Sequence, residues 1–304
     1  RRLYPFRVQS ITPSSTVDLS ASVALPAGYH PANPALVRYR DGYFVCVRGV
    51  NYVYRSQRKM DPVFTAGRGY HTVNRFVLFD RQFRVERQLE ALNKQLENVE
   101  DIRLFAHAGR VYGIGTQPLE NGPGACRMCL LLFADDLNAA EVLPLDSPYG
   151  LQREKNWCPF SVGDDLGFLY ACKPDVFVRL PAGQHKPVAP NGRGLLEPSR
   201  LHFFDCGSTP AQPLNGEHLF VTHRRSVQLP SFPRVYSSQL CLVSPYLKRV
   251  RRGPYFSIGS PTIQFVSGLH LTRDEVLIAY GEMDNRALVS RFDRAAFFAQ
   301  LRPR

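Results

Sequence analysis

The chain has 304 residues, of which 44% are hydrophobic and 21% are charged. This length can bury a core without disulfide bonds or a metal ion, and the composition excludes an intrinsically disordered chain. The formal net charge of +12 would attract phosphates, acidic glycans, nucleic acid or anionic lipid headgroups. Since no long basic tract, zinc-finger or RNA-recognition signature accompanies that charge, the sequence does not favour nucleic acid as a partner.

The cysteines and the apolar segments limit the cellular setting. Seven cysteines, an odd number, lie mostly in apolar runs, a pattern typical of reduced thiols in a cytosolic protein. Cys126 and Cys129 would point to opposite faces of a strand, which argues against a shared metal. No apolar run is long enough for a membrane helix, and no secretory signal opens the chain. The start at Arg1-Arg2 indicates either processing or a domain excised from a longer polypeptide.

One module recurs five times after residue 30 and dominates the chain. Each copy has a short motif, a tight turn about eight residues later and then an apolar strand. The turns are roughly fifty to seventy residues apart, the length of one four-stranded propeller blade with its loops. We therefore predict an all-β fold, a five-bladed β-propeller forming one domain over residues 1–304. The turns lie at Asp41-Gly42, Gly109-Arg110, Asp164-Asp165, Asn215-Gly216 and Arg273-Asp274.

Four further segments carry local predictions. Residues 1 to about 30 alternate polar and apolar positions, which favours a strand that closes the ring. Residues 84–98 have partly helical spacing and are either one short helix or a polar connection. Residues 181–198, rich in Pro and Gly, indicate a long exposed loop. Residues 291–301 predict a closing helix that covers the open side of the ring.

Hairpin geometry predicts that the blades share one polar rim. The start of one strand and the end of its antiparallel partner return to the same edge. We call this rim the mouth; it carries residues 33, 101, 156, 208 and 267. The expected neighbours are Asn33 with Arg48 and Asn51, Asp101 with Thr116 and Gln117, Asn156 with Lys173, Ser208 with His223 and Arg224, and Ser267 with Tyr280, Glu282 and Asp284. Polar groups gathered on one side favour a site for a polar ligand.

Glu100 and Asp101 are the candidate catalytic residues. Adjacent residues on a strand face opposite ways, so one carboxylate would aim into the mouth and the other would be held by Arg103 or a neighbouring strand. A carboxylate at a sugar ring can act as general acid, as base or as charge stabiliser. The alternative is a structural Asp–Arg pair that fixes the strand end.

Lys155, Asn156 and Trp157 form a second group. Aromatic faces stack on sugar rings, lysine neutralises phosphate, and an asparagine amide can bond hydroxyl groups with both its ends. The alternative is a buried tryptophan in a blade core, with its neighbours in solvent.

The remaining candidates are expected to bind substrate around these groups. Arginine offers a bidentate contact to carboxylate or phosphate. His223 could contact the substrate or donate a hydrogen bond to its phosphate. Asp284 could equally cap a turn. No phosphate-binding glycine loop, H-E-x-x-H or G-x-S-x-G motif occurs, which disfavours kinases, zinc peptidases and α/β-hydrolases. The full substrate-binding set is Asn33, Arg48, Asn51, Tyr52, Arg103, Lys155, Asn156, Trp157, Lys173, His223, Arg224, Tyr280, Glu282 and Asp284.

Taken together, the motifs resemble those of a family of five-bladed propeller enzymes. The strand 99–103 (Val-Glu-Asp-Ile-Arg) and the hairpin 109–116 resemble the Glu-Asp-Pro-Arg strand and following hairpin of β-mannoside phosphorylases and mannosyltransferase/phosphorylases. The whole set of motifs is also similar to bacterial propeller domains that accompany glycosyltransferases. The resemblance implies that Asp101 is the general acid or base, although Ile102 replaces the usual proline. It also implies phosphate binding by Arg48, Arg103, Lys155 and His223.

These observations lead to one main functional prediction and three alternatives. The main prediction is inverting glycosyl transfer from a nucleotide sugar or sugar phosphate to a glycan acceptor, in the cytoplasm, without metal or cofactor. Asp101 would take the acceptor proton, the basic rim would stabilise the leaving phosphate, and Tyr52 and Trp157 would shape the sugar subsites. A fused or associated glycosyltransferase domain is a further expected partner. The alternatives are a phosphorylase, a hydrolase in which Glu282 or Asp284 activates water, and a non-catalytic glycan-binding propeller.

Overall fold

A computed structural model describes residues 8–57, 61–120, 124–172, 175–188, 205–226, 234–244 and 250–301. Within these ranges the chain folds into five blades arranged as a β-propeller, as the repeat predicts. The same residues contain no helix long and apolar enough to cross a membrane.

Two N-terminal strands precede the first blade. They are β1 (Val8–Ile11) and β2 (Ser15–Asp18). Blades 1 and 2 are four-stranded antiparallel sheets, and a two-stranded hairpin is inserted in blade 1 between its second and third strands. Blade 1 and its hairpin comprise β3 (His30–Tyr39), β4 (Gly42–Val50), β5 (Tyr52–Tyr54), β6 (Pro62–Phe64), β7 (Thr72–Phe79) and β8 (Val85–Gln88). Helix α1 (Glu90–Gln95) leads to blade 2, which comprises β9 (Glu100–His107), β10 (Arg110–Pro118), β11 (Cys126–Phe133) and β12 (Ala140–Pro144).

The other three blades are less regular. Blade 3 has three described strands, and in blade 4 two short strands share the innermost position. Blade 3 comprises β13 (Cys158–Val162), β14 (Asp165–Cys172) and β15 (Asp175–Leu180). Blade 4 comprises β16 (Asp205–Gly207), β17 (Gln212–Leu214), β18 (Glu217–Arg225), β19 (Tyr236–Val243) and β20 (Val250–Ile258). Blade 5 comprises β21 (Gln264–Leu271), β22 (Glu275–Glu282) and β23 (Arg286–Asp293).

The N-terminal strands close the ring, which confirms the expectation for the described part of residues 1–30; residues 1–7 lie outside the described residues. Strand β2 pairs antiparallel with β23 as the fourth strand of blade 5. Strand β1 pairs parallel with β20 at the outer edge of blade 4. Hydrogen bonds between the N-terminal strands and the last two blades thus join segments at opposite ends of the chain, and exposed sheet edges are reduced.

Of the two alternatives for residues 84–98, the structure has a short helix, and the predicted closing helix is also present; both are shorter than the predicted segments. Residues 85–88 belong to β8, because the edge of β7 offers them ladder hydrogen bonds, and α1 covers only Glu90–Gln95. Helix α2 (Arg294–Gln300) begins after Asp293, whose side chain accepts a hydrogen bond from Ala296 N. Its Phe297 packs against Phe256 of blade 4 and Phe292 of blade 5. The closing helix therefore seals a seam between two blades. Of the predicted loop 181–198, residues 189–198 lie outside the described residues.

The core lies between neighbouring blades. Alternating residues of each strand face the adjacent sheet, so large apolar side chains of successive blades interdigitate. Phe44 and Phe76 of blade 1 contact Phe133 of blade 2 in this way. The polar strand ends are left at the two rims, and this division positions the site.

Candidate active site

Irregular backbone at the starts of the inner strands turns polar side chains into the mouth. The pairing of β3 with β4 shifts register between Ala32 and Ala35, and Asn33 in this bulge has φ 39°. The pairing of β9 with β10 shifts in the same way, and Asp101 has φ 50°. Asn and Asp tolerate this left-handed conformation better than other side chains, and bulges re-aim side chains. As a result, Asn33 Nδ2 donates to Asp101 Oδ1 at 2.9 Å.

Four charged side chains from three parts of the ring meet at this point. Arg48 Nη1 of blade 1 lies 2.7 Å from Asp101 Oδ1, and Arg48 Nη2 lies 4.0 Å from Glu100 Oε1. Lys155, just before blade 3, places Nζ 2.7 Å from Glu100 Oε2. We call Arg48, Glu100, Asp101 and Lys155 the charged cluster. Two anions alternate with two cations, so an additional anion that contacts either cation would compete with a carboxylate.

The prediction that Glu100 and Asp101 face opposite ways is wrong. The left-handed backbone at Asp101 breaks the alternation of the strand, so both carboxylates approach Arg48. Arg103 does not hold either carboxylate through a hydrogen bond. Its guanidinium is buried and donates to Asn156 Oδ1 at 2.6 Å and to Trp157 O at 3.3 Å.

Asp101 is held in its ionised form. Burial alone would raise the pKa of this carboxyl, but the charges of Arg48, Lys155 and Arg103 and the hydrogen bond from Asn33 outweigh it. The pKa therefore lies well below the usual 3.8. Arg48 is fixed for this role because its Nε and Nη2 both donate to Thr72 Oγ1, at 3.1 and 2.9 Å.

Acid should weaken the folded state partly through Asp101. A carboxyl whose pKa is lowered by folding contributes stability above its unfolded pKa and loses that contribution as the pH falls towards the folded value. We expect the free energy of unfolding of the wild type to fall below about pH 4 more steeply than that of Asp101→Asn. Urea titrations between pH 7 and pH 3 measure the difference; parallel curves for the two proteins would contradict the assignment.

Asp284 supplies a third carboxyl with the opposite tendency. It follows β22 with φ 50°, and Tyr52 OH donates to its Oδ2 at 3.0 Å. Burial raises the pKa of Asp284; Arg48 lowers it, and the negative charges of Asp101 and Glu100 raise it. Carboxyl groups whose pKa values are pushed apart are typical of acid and base partners in active sites.

His223 occupies the blade 4 side of the mouth as a neutral ring. Its Nδ1 lies 3.1 Å from Ser208 Oγ, the neighbour expected from the hairpin. The ring packs edge-on against Phe265 and stacks on Tyr236. Burial, assisted by the charge of Arg103, lowers the pKa of His223 to about 3. At neutral pH this side chain can donate or accept one hydrogen bond but carries no charge.

Arg225, which the sequence analysis missed, takes the place predicted for Arg224. Arg224 pairs with Asp205 on the other face of β18 and lies over Tyr255. Arg225 comes two residues after His223 on β18 and therefore lies on the same face of the strand. Its partner on β19 is Tyr236. Arg225 is exposed, and no carboxylate among the described residues forms an ion pair with it. The alternation of the strand, applied from His223, would have found it.

Two predicted substrate ligands have structural roles. Trp157 has no exposed surface; its Nε1 donates to Glu154 and its ring packs against Phe168 and Tyr170, so it cannot stack on a sugar. Asn51 is also buried. Its side-chain amide forms hydrogen bonds with backbone groups of the segment inserted in blade 1.

Three further predicted ligands lie away from the charged cluster or outside the described residues. Tyr280 is buried beside Ser290. Glu282 forms an ion pair with Arg286 at 3.1 Å. Lys173 lies outside the described residues. The structure thus brings together Asn33, Arg48, Tyr52, Glu100, Asp101, Lys155 and Asp284, with Arg103, Asn156 and His223 next to them.

Gly281 is required for the position of Asn33. A Cβ at residue 281 would lie 2.5 Å from Asn33 N and closer still to Asn33 Oδ1. We expect Gly281→Ala to lower the free energy of unfolding by about 1–3 kcal/mol, because the clash is with backbone. Gly253→Ala is the control, since its Cβ would meet Leu240 O at an ordinary 3.5 Å. Equal urea midpoints for both variants would contradict the packing.

No protein-family profile and no curated protein sequence matches the chain. Solved structures match over most of its length. A glycosyl hydrolase from Bacteroides ovatus has a TM-score of 0.63 at 11% identity, covering 95% of this chain and 91% of that one. A β-1,2-mannobiose phosphorylase from Listeria innocua, in complex with β-1,2-mannobiose, has 0.59 at 12%, covering 91% and 94%. A mannose phosphorylase from Leishmania mexicana, in complex with a phosphate ion, has 0.59 at 12%, covering 93% and 92%. The chain therefore has the five-bladed β-propeller fold that its sequence motifs predicted and that the matched glycosyl hydrolase and phosphorylases share.

Proposed function

We propose that the protein is a carbohydrate-active enzyme, a glycoside phosphorylase that exchanges a glycosidic bond for a bond to phosphate. The observation that carries this proposal is an ionised Asp101 among cations at the mouth of the propeller. The fold shared with mannoside phosphorylases supports it and suggests a β-mannoside as the first substrate to test. These comparisons give no support to a nucleotide-sugar donor, so we retain the sugar phosphate of the main prediction.

The protonation state of Asp101 suits the synthetic direction. The acceptor hydroxyl oxygen attacks the anomeric carbon of the sugar 1-phosphate, the bond from that carbon to the phosphate oxygen breaks, and Asp101 takes the hydroxyl proton. In phosphorolysis the same group returns the proton to the glycosidic oxygen while phosphate attacks the opposite face of the sugar. Each direction inverts the configuration of the anomeric carbon.

Bound phosphate would adapt Asp101 to the phosphorolytic direction. Lys155 and Arg48 hold the pKa of Asp101 down in the free protein. A phosphate that draws the charge of Lys155 towards itself would weaken this effect and raise the pKa of Asp101. This change favours the protonated carboxyl, which is the form that phosphorolysis needs.

The basic groups favour a phosphorylase over a hydrolase. Lys155 is partly exposed and Arg225 is exposed, so both can reach an anion from solvent. A hydrolase of this kind needs a second carboxylate that takes a proton from water. Asp284 is poorly placed to take that proton, because its Oδ2 already accepts a hydrogen bond from the Tyr52 hydroxyl.

A product analysis tests the proposal. The protein is incubated with β-linked manno-oligosaccharides, with and without inorganic phosphate, and the products are separated by chromatography. We expect a sugar 1-phosphate that forms only with phosphate present and is absent with Asp101→Asn. Free mannose formed equally without phosphate would indicate the hydrolase. GDP released from GDP-mannose would indicate the nucleotide-sugar transferase, and binding without any product would indicate the non-catalytic module.

A further inference from the structure

An aromatic cluster stands on the segment inserted between β4 and β7. Tyr52 contacts Tyr70 edge-on with ring centroids 5.1 Å apart, and Phe64 contacts Tyr70 at 5.3 Å. Tyr70 is 64% exposed and Phe64 is 38% exposed. The other two large hydrophobic side chains that are exposed in the described residues, Val85 and Val188, are aliphatic. The two rings that reach solvent, Phe64 and Tyr70, are called the aromatic platform.

The loop that carries Tyr70 is held by a buried amide. Asn51 Nδ2 donates to Ala66 O and Gly69 O at 2.6 and 2.9 Å, and its Oδ1 accepts from His71 N at 2.8 Å. These three bonds hold the backbone at residues 66, 69 and 71, close to the exposed Tyr70 on both sides. An asparagine that is 1% exposed thus fixes a loop whose aromatic side chain faces water. A side chain ordered in this way loses little entropy when a ligand covers it.

The platform is continuous with the charged cluster. Tyr52 touches Tyr70 with its ring and donates its hydroxyl to Asp284 Oδ2. Asp284 in turn interacts with Arg48 and Asp101 through their charges. One aromatic ring therefore separates the exposed platform from the carboxyl groups of the mouth.

We propose that Phe64 and Tyr70 bind a sugar unit on the acceptor side of the glycosidic bond that the enzyme acts on. This inference rests on the proposed function. The platform is exposed and contacts Tyr52, which is bonded to Asp284, so the part of a glycan that extends from a reacting bond at Asp101 would meet it. Aromatic faces present apolar area that matches the C–H face of a sugar ring. The expected ligand is an oligosaccharide of three or more β-linked units, because the ring of Tyr52 separates the platform from the carboxyl groups at the reacting bond.

Chain length is the variable that tests this subsite. We compare kcat/KM for β-1,2-mannobiose and β-1,2-mannotetraose in the wild type, Tyr70→Ala and Phe64→Ala. Tyr70→Ala should lower kcat/KM roughly tenfold for the tetrasaccharide, the effect of one lost aromatic contact, and leave the disaccharide unchanged within about twofold. Val85→Ala is the matched control, since it truncates an exposed hydrophobic residue on β8.

Calorimetric titration of Asp101→Asn with mannotetraose measures binding without turnover. The subsite can therefore be tested separately from the proposed function. Turnover by the wild type with equal losses for both chain lengths would overturn the subsite and leave the function standing. Tetrasaccharide binding that depends on Tyr70, without turnover by the wild type, would support the subsite and overturn the enzyme. Neither binding nor turnover with these glycans would overturn both.

Discussion

Asp101→Asn is expected to lower kcat by roughly a thousandfold, the scale of losing a positioned acid or base. The amide keeps one oxygen that can accept from Asn33 and Arg48, so the geometry of the bulge should persist. What is lost is the ability to exchange a proton with the glycosidic or acceptor oxygen. Initial rates of sugar 1-phosphate formation, with circular dichroism of the folded variant, measure the effect.

Asp18→Asn is the control for this change. Asp18 lies on β2, the outermost strand of blade 5, and pairs with Arg286 at 2.9 Å. The same chemical change there should leave kcat within about twofold of the wild type, as expected for an exposed pair. If Asp101→Asn retained the rate of the control, Asp101 would not be the proton-transferring group.

Arg48→Met should be the most destabilising single change at the site. It removes the cation between two carboxylates while Asp101 stays largely buried, and breaking such a pair by removing one partner costs about 3–5 kcal/mol. Thr72 Oγ1 also loses the two hydrogen bonds that it accepts from Arg48. Urea unfolding at pH 7 measures the change in the free energy of unfolding. The pKa of Asp101 should rise, since Arg48 is the strongest charge that lowers it.

A double variant shows whether the loss comes from the uncompensated carboxylate. In Arg48→Met with Asp101→Asn, the second change removes the charge that the first left unpaired, so part of the stability should return. Arg286→Met, which breaks exposed pairs with Asp18 and Glu282, should cost less than about 1 kcal/mol. A double variant as unstable as the sum of both single variants would contradict a direct interaction between Arg48 and Asp101.

The fold and the mouth could be predicted from the sequence because they depend on local periodicity. Turn spacing gave the number of blades, and hairpin return placed Asn33 near Arg48 and Ser208 near His223. The bulge at Asp101 could not be predicted in the same way. The bulge depends on a left-handed backbone at Asp101 that forms only when the inner strand is assembled. It turns the side chains of Glu100 and Asp101 to the same side of the strand.

The burial of individual side chains could not be predicted from the sequence either. Trp157 and Lys155 stand two residues apart in one motif, yet Trp157 is fully buried and the Lys155 side chain is 30% exposed. Which of them reaches solvent depends on the blade that packs against it. Asn51 shows the same limit, because its partners at residues 66–71 are defined only by the fold of the inserted segment.

A crystal structure of Asp101→Asn with mannose 1-phosphate tests the central claim most directly. We expect the phosphate within hydrogen-bond distance of Lys155 or Arg225, and the anomeric carbon beside residue 101. The same crystals soaked in phosphate alone should show the anion on the same cations. A sugar phosphate bound outside the mouth, with the charged cluster untouched, would contradict the account.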